Sequence, residues 1–111
     1  SPPPPTVKAA LQQFESGASP SVQAAADAVG VSTRHLRTFF RRHVGLAPKR
    51  FARIARLHRL VQSIRSRPTI DWAALAFDHG FYDQSHLVTE CQALLGETPS
   101  AFRARDRRLQ P

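Results

Sequence analysis

The sequence predicts an all-α fold of about seven helices, in which two copies of a three-helix unit flank one long helix. Three observations support this prediction. Apolar residues recur at helical spacing along the chain, no segment shows the period-two alternation of a strand, and the first half of the sequence repeats in the second. Apolar residues make up 41% of the 111, which is enough to bury small cores.

Four helices are predicted in the first half. Each begins at Ser, Thr or Pro, which favour helix starts, and each ends at Gly or Pro. The predicted spans are Thr6 (as N-cap) to Gly17, Ser21 to Gly30, Ser32 to Gly45 and a longer helix at 48–65, which Pro68 ends. The buried side of the last helix is predicted to carry Phe51, Ile54, Ala55, His58, Val61 and Ile64.

The second half repeats the first with a nearly constant offset. A shift of 50 residues places Val22 on Trp72 and Gly30 on Gly80, and one extra residue near Tyr82 makes the shift 51. The sequence therefore predicts further helices at 72–79, at 83–95 and from Pro99. The predicted organisation is a proline-rich linker remnant at 1–5, a first unit at 6–47, a connecting helix at 48–66 and a second unit at 67–111.

Composition narrows the class of protein. The chain has no Met and opens Ser-Pro-Pro-Pro-Pro, so we expect a segment of a longer protein that was cut at a semi-rigid linker. A single cysteine excludes an intramolecular disulfide scaffold. No apolar run reaches the ~18 residues that a membrane helix needs, so no membrane partner is expected.

Positive charge is concentrated in the first part of the chain. The formal net charge is +8, and residues 1–70 hold 12 basic against 2 acidic side chains, whereas residues 71–111 hold 4 against 6. Nine basic residues lie between Arg34 and Arg59 with no acid among them. Such a field attracts polyanions, chiefly nucleic acid.

Each copy of the repeat consists of a short helix, a glycine turn and a second helix opened by a polar cap. This is the pattern of a helix-turn-helix unit, whose second helix enters the DNA major groove with its N-terminal residues at the base edges. The sequence thus predicts two helix-turn-helix subdomains joined by a long linker helix. The predicted recognition helices are 32–44 and 83–95.

Both copies resemble a known family. Residues 76–87, Ala-Phe-Asp-His-Gly-Phe-Tyr-Asp-Gln-Ser-His-Leu, and 96–103, Gly-Glu-Thr-Pro-Ser-Ala-Phe-Arg, are similar to the AraC/XylS signature, and 30–36 and 45–48 match it in the first copy. The resemblance implies the C-terminal domain of a bacterial transcription regulator, with two units in successive major grooves of double-stranded DNA. It also implies an N-terminal effector-sensing or dimerisation domain, RNA polymerase as a candidate partner, and a cytoplasmic location on the nucleoid.

The length of the connecting helix agrees with this implied arrangement. Residues 48–65, at 1.5 Å each, extend roughly 27 Å. Successive major-groove faces lie about 34 Å apart, so a rigid helix of this length can hold two readers near one turn of DNA.

The first recognition helix has basic and hydroxyl side chains near its start. The resemblance places base contacts at Arg34, Arg37 and Thr38, and Thr33 is a further candidate at the same end. Arg reads guanine through a bidentate contact with O6 and N7. The alternative is that these guanidinium groups grip phosphates alone.

The second recognition helix departs from the family pattern. The family usually has basic residues at the positions of Thr89, Gln92 and Ala93, which are neutral here, and Glu90 is expected to add a negative charge on the outer face. The remaining candidates for base-edge or backbone contacts are Gln84, Ser85, Val88 and Thr89. The second unit is therefore expected to contribute weakly, or to need bent or distorted DNA.

Polar residues around both readers and at the start of the connecting helix are predicted to contact phosphate. They are Ser32, Arg41, Arg42, Lys49, Arg50, Arg53, Arg56, Asp83 and His86. The C-terminal arginines Arg103, Arg105, Arg107 and Arg108 either touch phosphates or form a solvated end.

No residue pattern predicts catalysis. The five histidines and Cys91 lack metal-ligand spacing, and no phosphate-binding loop or catalytic constellation is present. Cys91 is expected to be buried, because it aligns with Phe40. We therefore expect no metal, no cofactor and no enzymatic activity.

The leading hypothesis is sequence-specific binding of a promoter or operator duplex, with the first reader dominant. The alternative is a basic helical module that binds RNA or a protein partner through residues 34–59. The repeat favours the first hypothesis, because affinity for phosphate alone does not require two groove readers at a fixed spacing.

Overall fold

A computed structural model describes residues 3–110. Over that range the chain forms seven helices and no strand, which confirms the predicted fold class. The helices are α1 (Pro5–Ser16), α2 (Val22–Val29), α3 (Thr33–His43), α4 (Pro48–Ser66), α5 (Trp72–Asp78), α6 (Gln84–Leu95) and α7 (Pro99–Leu109).

The chain divides into two compact units, unit 1 at residues 1–56 and unit 2 at residues 57–111, of which residues 1, 2 and 111 lie outside the described range. The predicted connecting segment, 48–66, is one continuous helix, and its residues are shared between the units. The predicted domain boundaries, including the linker remnant whose first two residues are not described, stay a prediction.

The start of α1 differs from the prediction. The helix begins at Pro5, and Thr6 lies inside it rather than at its N-cap. Proline suits the first helical position, because its ring fixes φ and the missing N–H has no intrahelical acceptor there. Val7, Ala10 and Phe14, which lie at helical spacing, face the core.

An aromatic cluster holds unit 1 together. The rings of Phe14, Phe40 and Phe51 lie 5.9 to 6.1 Å apart between centroids, in tilted and edge-to-face arrangements. Such pairs stabilise a core beyond the burial of their area. Around them pack Ala10, Ala25, Ala26, Leu36 and Ala55.

The turn between α2 and α3 depends on a left-handed glycine. Gly30 has a φ of 76°, and a Cβ added there would meet no atom within 4 Å, so the requirement is conformational rather than steric. The Val31 N–H donates to the Ala26 carbonyl at 3.0 Å, and Ser32 Oγ accepts the His35 N–H at 3.0 Å. These bonds end α2 and cap α3.

Unit 2 builds the same turn from different residues. Gly80 has a φ of 77°, and the Phe81 N–H donates to the Ala76 carbonyl at 3.0 Å. The Asp83 carboxylate then caps α6 by accepting the His86 N–H at 2.8 Å. The core of unit 2 consists of Leu57, Leu60, Ile64, Leu75, Ala76, Phe81, Leu87, Cys91 and Phe102, with Trp72 packed against it.

The buried side of α4 is only partly as predicted. Ile64 is buried, but Ile54 and His58 are exposed. The prediction assumed one apolar stripe, whereas α4 supplies two cores: Ala55 packs in unit 1 and Leu57 packs in unit 2. The step of two residues between them breaks the i, i+3, i+4 spacing of a single face.

Replacing Phe40 with Ala is expected to lower the free energy of unfolding by about 3–5 kcal/mol, because the change leaves a cavity at a fully buried ring. Phe77→Ala is the matched control, since Phe77 is 83% exposed; its effect should stay within about 0.5 kcal/mol. Urea denaturation followed by circular dichroism measures both. Equal losses in the two variants would show that the cluster does not carry the stability of unit 1.

Candidate nucleic-acid interface

The start of α3 presents the residues predicted to contact bases. Arg34, Arg37 and Thr38 are exposed and Thr33 is half-buried. The Thr38 hydroxyl donates to the Arg34 carbonyl at 3.2 Å, which leaves its oxygen as an acceptor. Ser32 accepts a backbone N–H as the N-cap, so its own hydroxyl proton stays available to an outside acceptor such as a phosphate.

No described residue neutralises the guanidinium groups of α3. Arg34, Arg37, Arg41 and Arg42 are exposed, and α3 carries no acidic residue. Within residues 3–110, no carboxylate forms an ion pair with any of the four. Helix α3 therefore presents four positive charges to the solvent, and such a surface attracts a polyanion.

The basic residues of α4 fall into two classes. Lys49 and Arg50, in its first turn, are exposed. Arg53 and Arg56 are half-buried, and both already interact with other groups of the protein. Lys49 and Arg50 are therefore the more accessible phosphate candidates.

The exposed side of α6 is polar but uncharged. Gln84, Ser85, Thr89 and Gln92 are exposed, and Val88 is half-buried beside them. No Lys or Arg lies in the helix. The second candidate reader thus offers amide and hydroxyl groups, which can hydrogen-bond to base edges but cannot neutralise phosphates.

Asp83 and His86 form a local network at the start of α6. The Asp83 carboxylate is occupied as the N-cap and offers no donor to a phosphate. His86 Nδ1 accepts the Tyr82 N–H at 3.0 Å, so in the neutral ring the proton lies on Nε2. The half-buried His86 can therefore donate to a phosphate through Nε2. The negative Asp83 carboxylate, by contrast, repels a phosphate that lies close to it.

Glu90 does not lie on the outer face of α6. Its side chain is buried, with 7% of its surface exposed, and it interacts within the protein. The prediction that Glu90 adds negative charge to the reading surface is therefore wrong. Glu90 precedes the buried Cys91 and follows Leu87 by three positions, so it shares their inward side.

Three of the four C-terminal arginines, Arg103, Arg105 and Arg107, are bonded within the protein. Helix α7 continues to Leu109, so the end is not frayed. Arg105 forms an ion pair with Glu97 at 2.6 Å, and both Arg103 and Arg107 donate to the Pro68 carbonyl, at 2.7 and 3.1 Å. Phosphate contact by these residues would compete with bonds that anchor α7.

Unit 2 contains an ion pair that the sequence pattern does not predict. Arg65 binds the buried Asp106 through two nitrogens, at 2.9 and 3.1 Å, and Gln110 donates to the other oxygen at 3.0 Å. The hydrogen bond from Arg65 lowers the pKa of the Asp106 carboxyl. The i, i+4 spacing of Asp106 and Gln110 was visible in the sequence, but the partner 41 residues away was not.

Other chemical sites receive no support from the described residues. Among residues 3–110, no group of three or more His, Cys, Asp or Glu side chains could hold a metal ion. Burial raises the pKa of the Cys91 thiol to about 11, so this cysteine is held as the unreactive thiol. None of the helices in that range combines the length and apolarity needed to cross a membrane.

Comparisons with known proteins agree with this geometry. The family described as helix-turn-helix domain matches residues 25–105, which cover both turns and both candidate readers. The chain is also similar to the crystal structure of a transcriptional regulator from Chromobacterium violaceum, described among AraC-type DNA-binding domain-containing proteins. The TM-score is 0.81 and the sequence identity 25%, over 96% of this chain and 95% of that one. A search of curated proteins found no significant match.

The chain belongs to the AraC-type helix-turn-helix family. The match confirms the resemblance drawn from residues 76–87 and 96–103. It assigns no contact to any single residue, so the predicted base and phosphate contacts remain predictions. For this AraC-type chain, the exposed residues of α3 and α6 are the candidates that its own structure favours.

One half-buried histidine supports the second turn. His79 follows α5 as its C-cap, and its Nε2 lies 2.8 Å from Ser63 Oγ. Burial lowers the pKa of His79, and the nearby Arg59 and Arg67 lower it further, while Asp78 acts weakly in the opposite direction. The folded state therefore holds His79 neutral at pH values where the unfolded chain binds a proton.

Stability should accordingly fall as the pH drops below about 6.5, the ordinary pKa of an unfolded histidine, towards the lower pKa of folded His79. Urea denaturation at several pH values checks this expectation. His79→Gln should flatten the dependence. His43→Gln, which changes an exposed histidine, should not. An unchanged pH profile in His79→Gln would contradict the assignment.

Proposed function

We propose that this chain binds double-stranded DNA in a sequence-specific manner, as the DNA-binding domain of an AraC-type transcription regulator. Helices α3 and α6 are the readers, each entering a major groove with its N-terminal end. The two readers occupy successive grooves of one duplex. An N-terminal sensing or dimerisation domain and RNA polymerase are the further partners that we propose for the full regulator.

The observation that carries the proposal is the set of free guanidinium groups on α3. The second helix of the first helix-turn-helix unit, α3, carries Arg34, Arg37, Arg41 and Arg42. No carboxylate of residues 3–110 pairs with these four side chains. Arg34 and Arg37 lie in the part of a recognition helix that reaches base edges. Arg41 and Arg42 lie further along, where phosphate contact is the ordinary role.

The two readers have unequal chemistry. Because α6 lacks Lys and Arg and its start carries the exposed Asp83, it gains little from phosphate attraction. Its amide and hydroxyl groups still allow discrimination, since Gln pairs with adenine through N6 and N7. The first reader therefore supplies most of the affinity, and the second adds register and modest specificity.

Selection of bound duplexes from a random pool, followed by competition, tests the proposed function. A selected duplex should outcompete a random duplex by about 10³-fold or more at physiological salt. Single-stranded RNA of the same length is the second competitor. If random duplex and RNA compete as well as the selected duplex does, the chain is a non-specific polyanion-binding module and the proposal is wrong.

Binding should depend steeply on salt. Six basic side chains are exposed around the first reader: Arg34, Arg37, Arg41, Arg42, Lys49 and Arg50. If about five of them neutralise phosphates, a plot of log K against log salt has a slope of about −4 to −5. Fluorescence anisotropy over a series of salt concentrations measures the slope. A slope flatter than about −2 would mean that this surface does not face the DNA.

Arg37→Ala, or Arg34→Ala, should weaken binding to the selected duplex by about 1–3 kcal/mol and relax the preference at one or two base pairs. Lys8→Ala is the control, since it removes an exposed positive charge from α1. Titrations against duplexes with single base changes separate the two roles. Uniform loss across all duplexes would assign both arginines to phosphates.

Gln84→Ala should weaken binding less than Arg37→Ala does, because the second reader lacks charge. Adding charge there, by Thr89→Arg together with Gln92→Arg, should tighten binding to selected and random duplexes by about 1 kcal/mol in total, since exposed charges are screened. Isothermal titration measures all three variants. A loss in Gln84→Ala as large as that in Arg37→Ala would show that both readers contribute equally.

A further inference from the structure

Tyr82 stands directly before α6 with its side chain almost entirely in water. It is 92% exposed, more than any other large hydrophobic side chain of residues 3–110. Its hydroxyl has no hydrogen-bond partner within the described chain, and no ring packs against it. A tyrosine presented in this way is typical of a residue that binds outside its own chain.

The backbone that carries Tyr82 is fixed on both sides. Its N–H donates to His86 Nδ1 at 3.0 Å. The preceding Phe81 is buried, with its ring 5.4 Å from the His86 ring, and the following Asp83 caps α6 at 2.8 Å. The exposed phenol is therefore attached to a rigid position next to Gln84 and Ser85, at the end of α6 that would enter the groove.

The charge of this surface decides which chemistry the phenol can supply. Helix α6 has no Lys or Arg, and the exposed Asp83 carboxylate repels an anion that approaches the helix end itself. A tyrosine hydroxyl is a neutral donor at the far end of a long side chain, so it can reach a phosphate that stays clear of Asp83. Tyrosine is among the side chains that commonly hydrogen-bond to DNA phosphate and sugar oxygens.

We propose that the Tyr82 hydroxyl donates a hydrogen bond to a backbone phosphate beside the groove that α6 enters. The proposal rests on the proposed function, since it requires α6 to lie on DNA. In this role Tyr82 sets the register of the second reader, and it does so without the cations that the first reader uses. The contact is independent of base sequence.

The test compares Tyr82→Phe with wild type on the selected duplex and on a random duplex. Tyr82→Phe removes only the hydroxyl, and it should weaken binding to both duplexes by about 3- to 10-fold, as expected for loss of one hydrogen bond of ordinary net strength at a solvent-exposed site. Phe77→Ala is the matched control, because it changes another exposed aromatic side chain of the same unit on α5. It should bind like wild type.

A second measurement locates the acceptor. In a series of duplexes, single phosphates near the second half-site are replaced by neutral methylphosphonate. One replacement should weaken wild type by the same factor as Tyr82→Phe, and it should have no further effect on that variant. Such non-additivity identifies a direct pair.

Three results would overturn the proposal: Tyr82→Phe binding as tightly as wild type, an equal loss in Phe77→Ala, or additive effects at every methylphosphonate position. Failure of the proposed function has a different signature. In that case wild type itself does not distinguish the selected duplex from random duplex. Tight, specific binding by wild type with no effect of Tyr82→Phe rejects the role of Tyr82 alone.

Discussion

Each candidate recognition helix owes its position to a reversal of the chain at one left-handed glycine. Gly30 and Gly80 both have φ near 77°, and the N–H one residue further on closes the turn on the carbonyl of a buried alanine, Ala26 or Ala76. A serine or aspartate cap then starts the next helix. Because the turn and the cap depend on backbone groups, buried residues and the cap side chain, the exposed residues of α3 and α6 can differ without changing the position of either helix.

The arginines of α3 in unit 1 and those beside α7 in unit 2 have opposite roles. In unit 1 the guanidinium groups of α3 have no acidic partner within residues 3–110, so their charge is available to a ligand. In unit 2, Arg65 and Arg105 are paired with Asp106 and Glu97, and their guanidinium groups lie 5.8 and 5.6 Å from the centroid of the Phe102 ring. These arginines stabilise the packing of α7. The net charge of a sequence segment therefore shows how much charge is available to DNA only when it is known which of its arginines are paired with acidic residues of the protein.

Much of the candidate site was predictable, because exposure on a short helix follows from its apolar spacing. Leu36 and Phe40 had to face inward, which left Arg34 and Arg37 outside. The same reasoning failed at Glu90, since polarity favours the surface but its position on α6 matches the buried side. Tyr82 gave no signal, because the residue before a cap belongs to no periodic pattern.

The sequence by itself determined the helical class, the duplicated unit, the turn glycines, the caps Ser32 and Asp83 and the basic character of α3. All of these depend on local backbone preferences or on spacing within one helix, which a single sequence displays. Tertiary structure alone decided which residues of α4 are buried, because that helix supplies two cores and so has no single apolar stripe. It also decided which arginines are paired, since Asp106 meets Arg65 across 41 residues and only folding brings such groups together.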